Sequence, residues 1–179
     1  MTGLASVGSV YRFKIRAYNA AGHAESLSML HVTLASVPDK PTIGPLSDAS
    51  VTNDNQIKVN FGPLLDSQNG GSPVLSYELQ VDDGMGGSFT SLVGGDGSEE
   101  NLDTTYTLSY NIKSGGIYRF TYRAKNVNGW SLFSPITNIK AATKPQRPPA
   151  PTFNTATATS VTIDMYRSSE DGGDLIINY

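Results

Sequence analysis

The clearest alternation of apolar and polar positions in the chain lies between Gly116 and Trp130. A strict alternation of this length is typical of a β-strand with one face in the core and the other toward solvent. Asn128-Gly129 then predicts a turn, because both residue types tolerate a positive φ. The inward positions are Tyr118, Phe120, Tyr122 and Ala124, and the outward positions are Arg119, Thr121, Arg123 and Lys125.

The same strand-and-turn pattern occurs 107 residues earlier, from Tyr11 to Gly22. The same spacing relates the proline-rich stretch that begins at Pro38 to the one that begins at Pro145. A second repeat relates Asn69-Gly70-Gly71 to Asp171-Gly172-Gly173, 102 residues later, and a strand pattern upstream of each recurs after 104 residues. Such self-similarity indicates tandem modules. We predict the C-terminal part of one module at 1–37, a complete module at 38–144, and the N-terminal part of a third at 145–179.

The predicted elements are short strands separated by turns that are rich in glycine and proline. Seven antiparallel strands in roughly 100 residues favour a β-sandwich, in which two sheets bury one face each. In the first unit, strands are predicted at 11–19 and 26–34. In the central module they are predicted at 42–46, 56–61, 74–81, 89–93, 104–108, 116–126 and 132–140. The third unit is predicted to start with a strand at 160–165 and to stop inside a further strand at Tyr179.

The predicted core of the sandwich is aromatic, with Phe61, Tyr77, Leu79, Val81, Tyr106, Tyr118, Phe120 and Tyr122 at its centre. Along the strand at 74–81, the polar residues Glu78 and Gln80 alternate with core positions, and Asp82 follows, so all three are expected to face solvent. We expect Glu78 to lie near Arg123 or Lys125, and Asp82 near Arg119, as exposed ion pairs that contribute about 0.2–1 kcal/mol each.

The central module resembles a fibronectin type III domain. The segments that carry this resemblance are GGSPVLSYELQ and GGIYRFTYRAKNVNGWS, and GSVYRFKIRAYNAAGHAES in the first unit is similar to the second of them. The resemblance implies an all-β, immunoglobulin-like β-sandwich in tandem modules. It also implies that Tyr11 and Tyr118 form tyrosine corners, whose hydroxyls bond to nearby backbone. The chain departs from the family at the second strand, where Phe61 and Met165 replace its usual Trp.

Composition excludes several classes of function. The formal net charge is -3 and only 16% of residues are charged, so the chain lacks the basic stripe typical of nucleic-acid binding. No apolar run approaches the length that spans a bilayer. The chain has no Cys, and therefore neither a disulfide nor a thiolate site. We accordingly expect no nucleic-acid partner and no membrane insertion of this segment.

Candidate catalytic and metal residues are few. The histidines His23, in a predicted turn, and His31, in a predicted strand, are not accompanied by any nucleophile motif, so we predict no enzymatic activity and no cofactor. Six carboxylates gather on the loops at 82–84 and 96–103, and calcium takes six to eight oxygen ligands. Their spacing matches no EF-hand, and solvated acidic turns are common. The weak calcium candidates are Asp82, Asp83, Asp96 and Glu99.

The candidate binding residues lie on the strand at 116–126 and in the turn that follows it. A cationic stripe could bind an acidic glycan or protein, although pairing with Glu78 and Asp82 explains the same charges. An exposed Trp can mark an interface, although Trp130 could equally pack on its own last strand or on an adjoining module. The candidates are Arg119, Arg123, Lys125, Asn128 and Trp130.

The two outer units are shorter than the roughly 40 residues that a chain usually needs to fold alone. Either the chain is an excerpt of a longer array, or the tail of one chain completes the head of an identical one, as in strand-complemented fibres. Mapped onto the central module, the two units together lack the equivalents of 78–107, which favours the excerpt. No recognisable signal peptide follows Met1.

Three classes of function remain open. The first is a structural or adhesive array on an extracellular or cell surface, or in a filament, whose partners are neighbouring modules of the same or identical chains. The family resemblance also allows an intracellular, cytoskeletal setting. The second is a module that binds a protein or glycan through the turn near Trp130 or the cationic face. The third is a non-catalytic accessory region of a larger enzyme.

Overall fold

The computed structural model describes residues 6–179, and its regular structure is almost entirely β. The first five residues, which include the stretch directly after Met1 in which a signal peptide was sought, lie outside this range. The first segment contains β1 (Val10–Phe13), β2 (Arg16–Asn19), β3 (Gly22–Glu25) and β4 (Leu30–Thr33). The central module contains β5 (Leu46–Ser47), β6 (Ile57–Asn60), β7 (Ser76–Val81), β8 (Thr90–Val93), β9 (Thr105–Leu108), β10 (Ile117–Asn126), β11 (Gly129–Trp130) and β12 (Thr137–Lys140). The third segment contains β13 (Thr152–Ala156) and β14 (Val161–Asp164).

The central module consists of two antiparallel sheets. The larger sheet has the order β11-β10-β7-β8, and β12 pairs with the first half of β10. The smaller sheet has the order β5-β6-β9. A short 3-10 turn at Asp66–Gln68 lies in the predicted loop between β6 and β7. This arrangement is the immunoglobulin-like sandwich that the strand pattern predicts.

Both sheets contribute to the core of the central module. Phe120 of β10 is completely buried, and the ring of Tyr122 lies 5.5 Å from that of Phe61, measured between ring centroids. Tyr106, which was predicted at the centre, is only partly buried because β9 is an edge strand of the smaller sheet. The buried hydrophobic residues are Ile57, Val59, Phe61, Tyr77, Leu79, Val81, Leu108, Tyr118, Phe120, Tyr122, Ala124, Ile139 and Ala141.

The outer segments differ from the predicted strands. The strand predicted at 11–19 is interrupted between Phe13 and Arg16, so that β1 pairs with β4 and β2 pairs with β3. The strand predicted at 26–34 shortens to β4, while β3 precedes it. In the third segment, β13 precedes β14 and pairs with it, although no strand was predicted there.

The strand that was predicted to run up to Tyr179 does not form. Its counterpart in the central module is β7, which lies between β10 and β8 and receives hydrogen bonds from both. Within residues 6–179, no strand lies beside the end of the third segment in this way. Tyr179 corresponds to Tyr77, the second residue of β7, so the described residues include only the beginning of the equivalent of β7.

Candidate binding face and acidic loops

The outward face of β10 carries the predicted cationic stripe. Antiparallel pairing places Arg123 directly opposite Glu78 of β7, and their side chains form an ion pair with Nε and Oε2 2.5 Å apart. Arg119 forms a second ion pair with Asp82, with Nε and Oδ2 2.7 Å apart. The alternation thus brings Arg123 and Arg119 of β10 onto Glu78 of β7 and onto Asp82, which directly follows β7.

Aromatic rings cover these ion pairs. The guanidinium of Arg123 lies 4.4 Å from the ring centroid of Trp130 and 4.6 Å from that of Phe133. The guanidinium of Arg119 lies 5.1 Å from the ring of Phe89. Cation–π attraction of this kind contributes roughly 0.5–1 kcal/mol at exposed sites and more where the cation is desolvated. We call this surface the ladder face; its residues are Phe89, Arg119, Arg123, Lys125, Trp130 and Phe133.

The carboxylates beneath the ladder face are buried. The side chain of Glu78 is 3% exposed and that of Asp82 is 0% exposed, so the prediction that both acids face solvent is wrong. The alternation places them on the outer side of the sheet, but long cationic and aromatic side chains lie over them. Their ion pairs are therefore shielded from water, and removing one partner leaves a buried charge uncompensated.

Asp82 has the most complete set of hydrogen bonds among these acids. Burial by itself raises its pKa, but the backbone N–H and guanidinium of Arg119 and the N–H of Gly84 donate to its carboxylate and outweigh burial. The three distances are 2.9 Å, 2.7 Å and 3.1 Å. The pKa of Asp82 therefore lies below its ordinary value, and the folded protein favours the ionised carboxylate.

Trp130 makes a hydrogen bond in addition to the contact between its ring and Arg123. Its Nε1 donates a hydrogen bond to Oδ1 of Asp96 at 2.8 Å, and Oδ2 of Asp96 lies 3.6 Å from a guanidinium nitrogen of Arg123. Lys125 is the least engaged of the three cations, with Nζ 5.6 Å from the Trp130 ring centroid and 4.0 Å from Glu100. Lys125 is consequently the cation of the ladder face that is best placed to meet an external anion.

Asn128 lies apart from the ladder face, at the contact with the first segment. Its side-chain amide donates to the backbone carbonyl of Ala35. The neighbouring Asn126 is buried, and its amide donates to the carbonyls of Ser36 at 2.7 Å and Asn69 at 2.8 Å. Sequence reasoning missed Asn126, although a polar residue at an inward position of an alternating strand was a usable signal.

Two serines that follow β11 were also missed. Ser131 Oγ accepts a hydrogen bond from the backbone N–H of Ala124 at 3.1 Å, and Ser134 Oγ accepts one from the N–H of Tyr122 at 3.1 Å. These hydroxyls attach residues 131–134 to β10 where no continuous strand runs beside it. The Ser-x-x-Ser spacing after the turn was the available signal.

The weak calcium candidates do not converge. Asp82 is committed to Arg119, and Asp83 accepts hydrogen bonds from the N–H groups of Met85 and Gly87, which lower its pKa. Asp96 is bonded to Trp130, and Glu99, three residues further along the same loop, is exposed. Across residues 6–179, no cluster of three or more His, Cys, Asp or Glu side chains could hold a metal ion.

The two tyrosines at the predicted corner positions differ in their contacts. Tyr118 Oη donates to the carbonyl of Asn111 at 3.0 Å and accepts from the N–H of Lys113 at 2.8 Å. Tyr11 Oη accepts from the N–H of Ser6 at 3.3 Å, the counterpart of the Lys113 contact 107 residues earlier.

The histidines are exposed on separate strands: His23 lies on β3, where a turn was predicted, and His31 lies on β4.

No protein-family model matches the chain. Among solved structures, it is similar to a run of domains from titin, with a TM-score of 0.59 and 17% identity over 76% of this chain. The chain spans 42% of the length of that titin chain. A human fourth fibronectin type III domain matches 62% of this chain and 86% of its own, with 18% identity and a TM-score of 0.48. The sixth such domain of human fibronectin type III domain containing protein 3 matches 63% of this chain and 95% of its own, with 20% identity and a TM-score of 0.48.

At these identities the likeness concerns the fold. The chain has the fibronectin type III fold, an immunoglobulin-like β-sandwich, and the resemblance predicted from its sequence is confirmed. No helix within residues 6–179 is long and apolar enough to cross a membrane.

Proposed function

We propose that the chain is part of a structural, adhesive array of tandem modules in an extended extracellular assembly or cell-surface fibre. The observation that supports this proposal is the backbone connection of the central module to both of its neighbours. The N–H of Ser36 donates to the carbonyl of Gly70 at 2.9 Å, and the N–H of Thr143 donates to that of Gly172 at 2.8 Å. Contacts of this kind transmit orientation and load from one module to the next.

The ion pairs that the charged groups of the ladder face form within the sheet support the same proposal. Arg119 and Arg123 are both neutralised by buried carboxylates and covered by rings. Groups used in this way stabilise the sheet and offer little to an external ligand. The array therefore functions as a spacer that presents loops, with neighbouring modules of the same chain or of identical chains as its partners.

Binding of an acidic glycan or protein is the second candidate, and the position of Lys125 beside Trp130 favours it. Immobilised heparin is a suitable probe, with Lys125→Glu as the test variant and Lys113→Glu as the control for the same change of charge in an exposed loop. If the chain is a spacer, Lys125→Glu and the parent chain should bind heparin to the same extent. Binding that Lys125→Glu abolishes and Lys113→Glu preserves would overturn the structural proposal.

Small-angle scattering tests the array itself. A compact single domain of this length has a radius of gyration of about 16 Å. A spacer with modules in a row has a clearly larger value, unchanged by Lys125→Glu. A value near that of the compact domain would contradict the proposal.

A further inference from the structure

The contact between the first segment and the central module has a defined set of partners. On one side lie the turn at 7–8 and the backbone of residues 35–37, and on the other lies the Asn69-Gly70-Gly71 loop. The N–H of Ser36 donates to the carbonyl of Gly70 across this contact, and just inside the central module the N–H of Asp39 donates to the carbonyl of Gln68 at 2.8 Å. We call this contact the first joint.

The contact between the central module and the third segment repeats the first joint. The N–H of Thr143 donates to the carbonyl of Gly172 across this contact, and just inside the third segment the N–H of Gln146 donates to the carbonyl of Glu170 at 3.1 Å. Donors of the two joints are 107 residues apart and acceptors are 102 residues apart. We call this contact the second joint. Both hydrogen bonds thus recur between residues that the two repeats of the sequence relate.

The loop conformation also recurs. The N–H of Gly71 donates to Oδ1 of Asn69 at 2.8 Å, and the N–H of Gly173 donates to Oδ1 of Asp171 at 2.9 Å. The φ angles are 72° and 84° for Gly70 and Gly71, and 73° and 84° for Gly172 and Gly173. The Asx side chain and two left-handed glycines therefore fix one loop shape at both joints.

The glycines are required by close approach of the neighbouring backbone as well as by φ. A Cβ on Gly70 would lie 2.6 Å from the carbonyl oxygen of Val37, and one on Gly172 would lie 2.9 Å from that of Lys144. Their respective contacts with the carbonyl oxygens of Ser36 and Thr143 would be closer still.

The second glycine of each loop approaches the other half of the joint. A Cβ on Gly71 would lie 2.8 Å from the backbone nitrogen of Gly8, and one on Gly173 would lie 2.7 Å from that of Gly115. Gly8 and Gly115 are themselves 107 residues apart. The second glycine of the loop and the glycine of the facing turn therefore approach each other equally closely at both joints.

We propose that the Asx-Gly-Gly loop is a docking site for the end of the preceding module, and that both joints hold consecutive modules in one and the same orientation. The partner of this surface is a module of the same kind, recognised by its backbone carbonyls, its N–H groups and a glycine turn. The inference deepens the proposed structural function and rests on it. The array is then a rod of regular geometry, in which each module adds the same rotation.

Distances between spin labels test this geometry directly, because the chain contains no Cys and every label site can be introduced. Labels at Met29→Cys and Asn55→Cys, which are both exposed positions, span the first joint. The second joint is spanned by Ile136→Cys with Thr159→Cys, the exposed counterparts 107 and 104 residues later. The spacing of 104 residues also relates equivalent positions in the structure. The turns Asn53–Gln56 and Thr157–Ser160, which contain the two label sites, close with equivalent backbone hydrogen bonds of 2.9 Å and 2.8 Å.

We expect one narrow distance distribution at each joint, with the same mean. Gly70→Ala removes the narrow peak at the first joint only, and Gly172→Ala removes it at the second joint only. Gly97→Ala is the matched control, because Gly97 has a φ of 83° with nothing within 4 Å of its Cβ position. This control imposes a comparable backbone strain and leaves both distributions unchanged.

Amide exchange provides a second readout that does not depend on labels. Gly70→Ala accelerates exchange of the Ser36 amide and leaves that of Thr143 unchanged, while Trp130 fluorescence reports that the central module remains folded. Different mean distances at the two joints, broad distributions in the parent chain, or equal effects of Gly70→Ala and Gly97→Ala would each overturn the inference. Heparin binding through Lys125 would instead contradict the proposed function while leaving the distances intact.

Discussion

The strand β10 and its counterpart in the first segment share one sequence pattern and have different structures. β10 is a continuous strand of ten residues, with Phe120 and Ala124 completely buried. The counterpart, 107 residues earlier, is divided into β1 and β2, and its Phe13 is 54% exposed. In the central module, β5, β6 and β9 form a facing sheet, whereas β1 and β2 each pair with a single strand within residues 6–179. Alternation therefore specifies which side chains share a face, and an opposing sheet decides whether that face becomes a core.

The largest expected difference between the two copies concerns their phenylalanines. Phe120→Ala removes a fully buried ring and lowers the free energy of unfolding by about 3–5 kcal/mol. Phe13→Ala removes a half-exposed ring, and the change stays within about 0.5 kcal/mol. Urea denaturation monitored by Trp130 fluorescence measures both. Equal losses in the two variants would contradict the comparison.

The ion pairs of the two copies provide the second test. Glu78→Gln leaves the Arg123 guanidinium without its buried partner, and we expect a loss of about 1.5–3 kcal/mol in the free energy of unfolding. The matched control is Glu25→Gln, because Glu25 pairs with Arg16, the counterpart of Arg123, at an exposed position. This control should have little effect, since exposed pairs are screened by water. A large effect of Glu25→Gln would show that the first copy is as well shielded as the second.

The pH dependence of stability tests the buried carboxylate of Asp82, the residue that directly follows β7. The pKa of Asp82 is depressed in the folded protein, so its contribution is complete above the ordinary carboxyl pKa of about 4 and is lost as the pH falls through the folded value. Urea midpoints measured between about pH 6 and pH 2 should fall less steeply in Asp82→Asn than in the parent chain. Glu99→Gln, which removes an exposed carboxylate, serves as the control. A parent-like slope in Asp82→Asn would contradict the depressed pKa.

The smallest expected effect concerns the tyrosine hydroxyls. Tyr118→Phe removes the hydrogen bonds to Asn111 and Lys113 and should cost about 0.5–1.5 kcal/mol. Tyr11→Phe removes one longer hydrogen bond of a more exposed tyrosine and should cost less. The same denaturation measurement compares them. A larger loss for Tyr11→Phe would reverse the ranking of the two copies.

Most of the central fold could be predicted because its strands obey a local rule. The positions of β6, β7, β9 and β10 follow from period-two alternation between turn residues. Failures occurred where a strand depends on a neighbour that alternation does not reveal. The break between Phe13 and Arg16 is of this kind.

The candidate site was predicted less completely than the fold. The pairing of Arg123 with Glu78 and of Arg119 with Asp82 could be expected from antiparallel register. Their burial could not, because it depends on Trp130, Phe133 and Phe89, which reach the guanidinium groups from other parts of the chain.

The amino-acid sequence alone determined the sandwich, the faces of its strands and the spacing of its repeats, since these follow from periodicity and turn chemistry within short windows. Tertiary structure decided which aromatic faces are buried, which carboxylates are shielded, and that the glycine loops at Gly70 and Gly172 meet the preceding backbone. Burial and close approach depend on residues distant in the chain, and no local pattern carries that information.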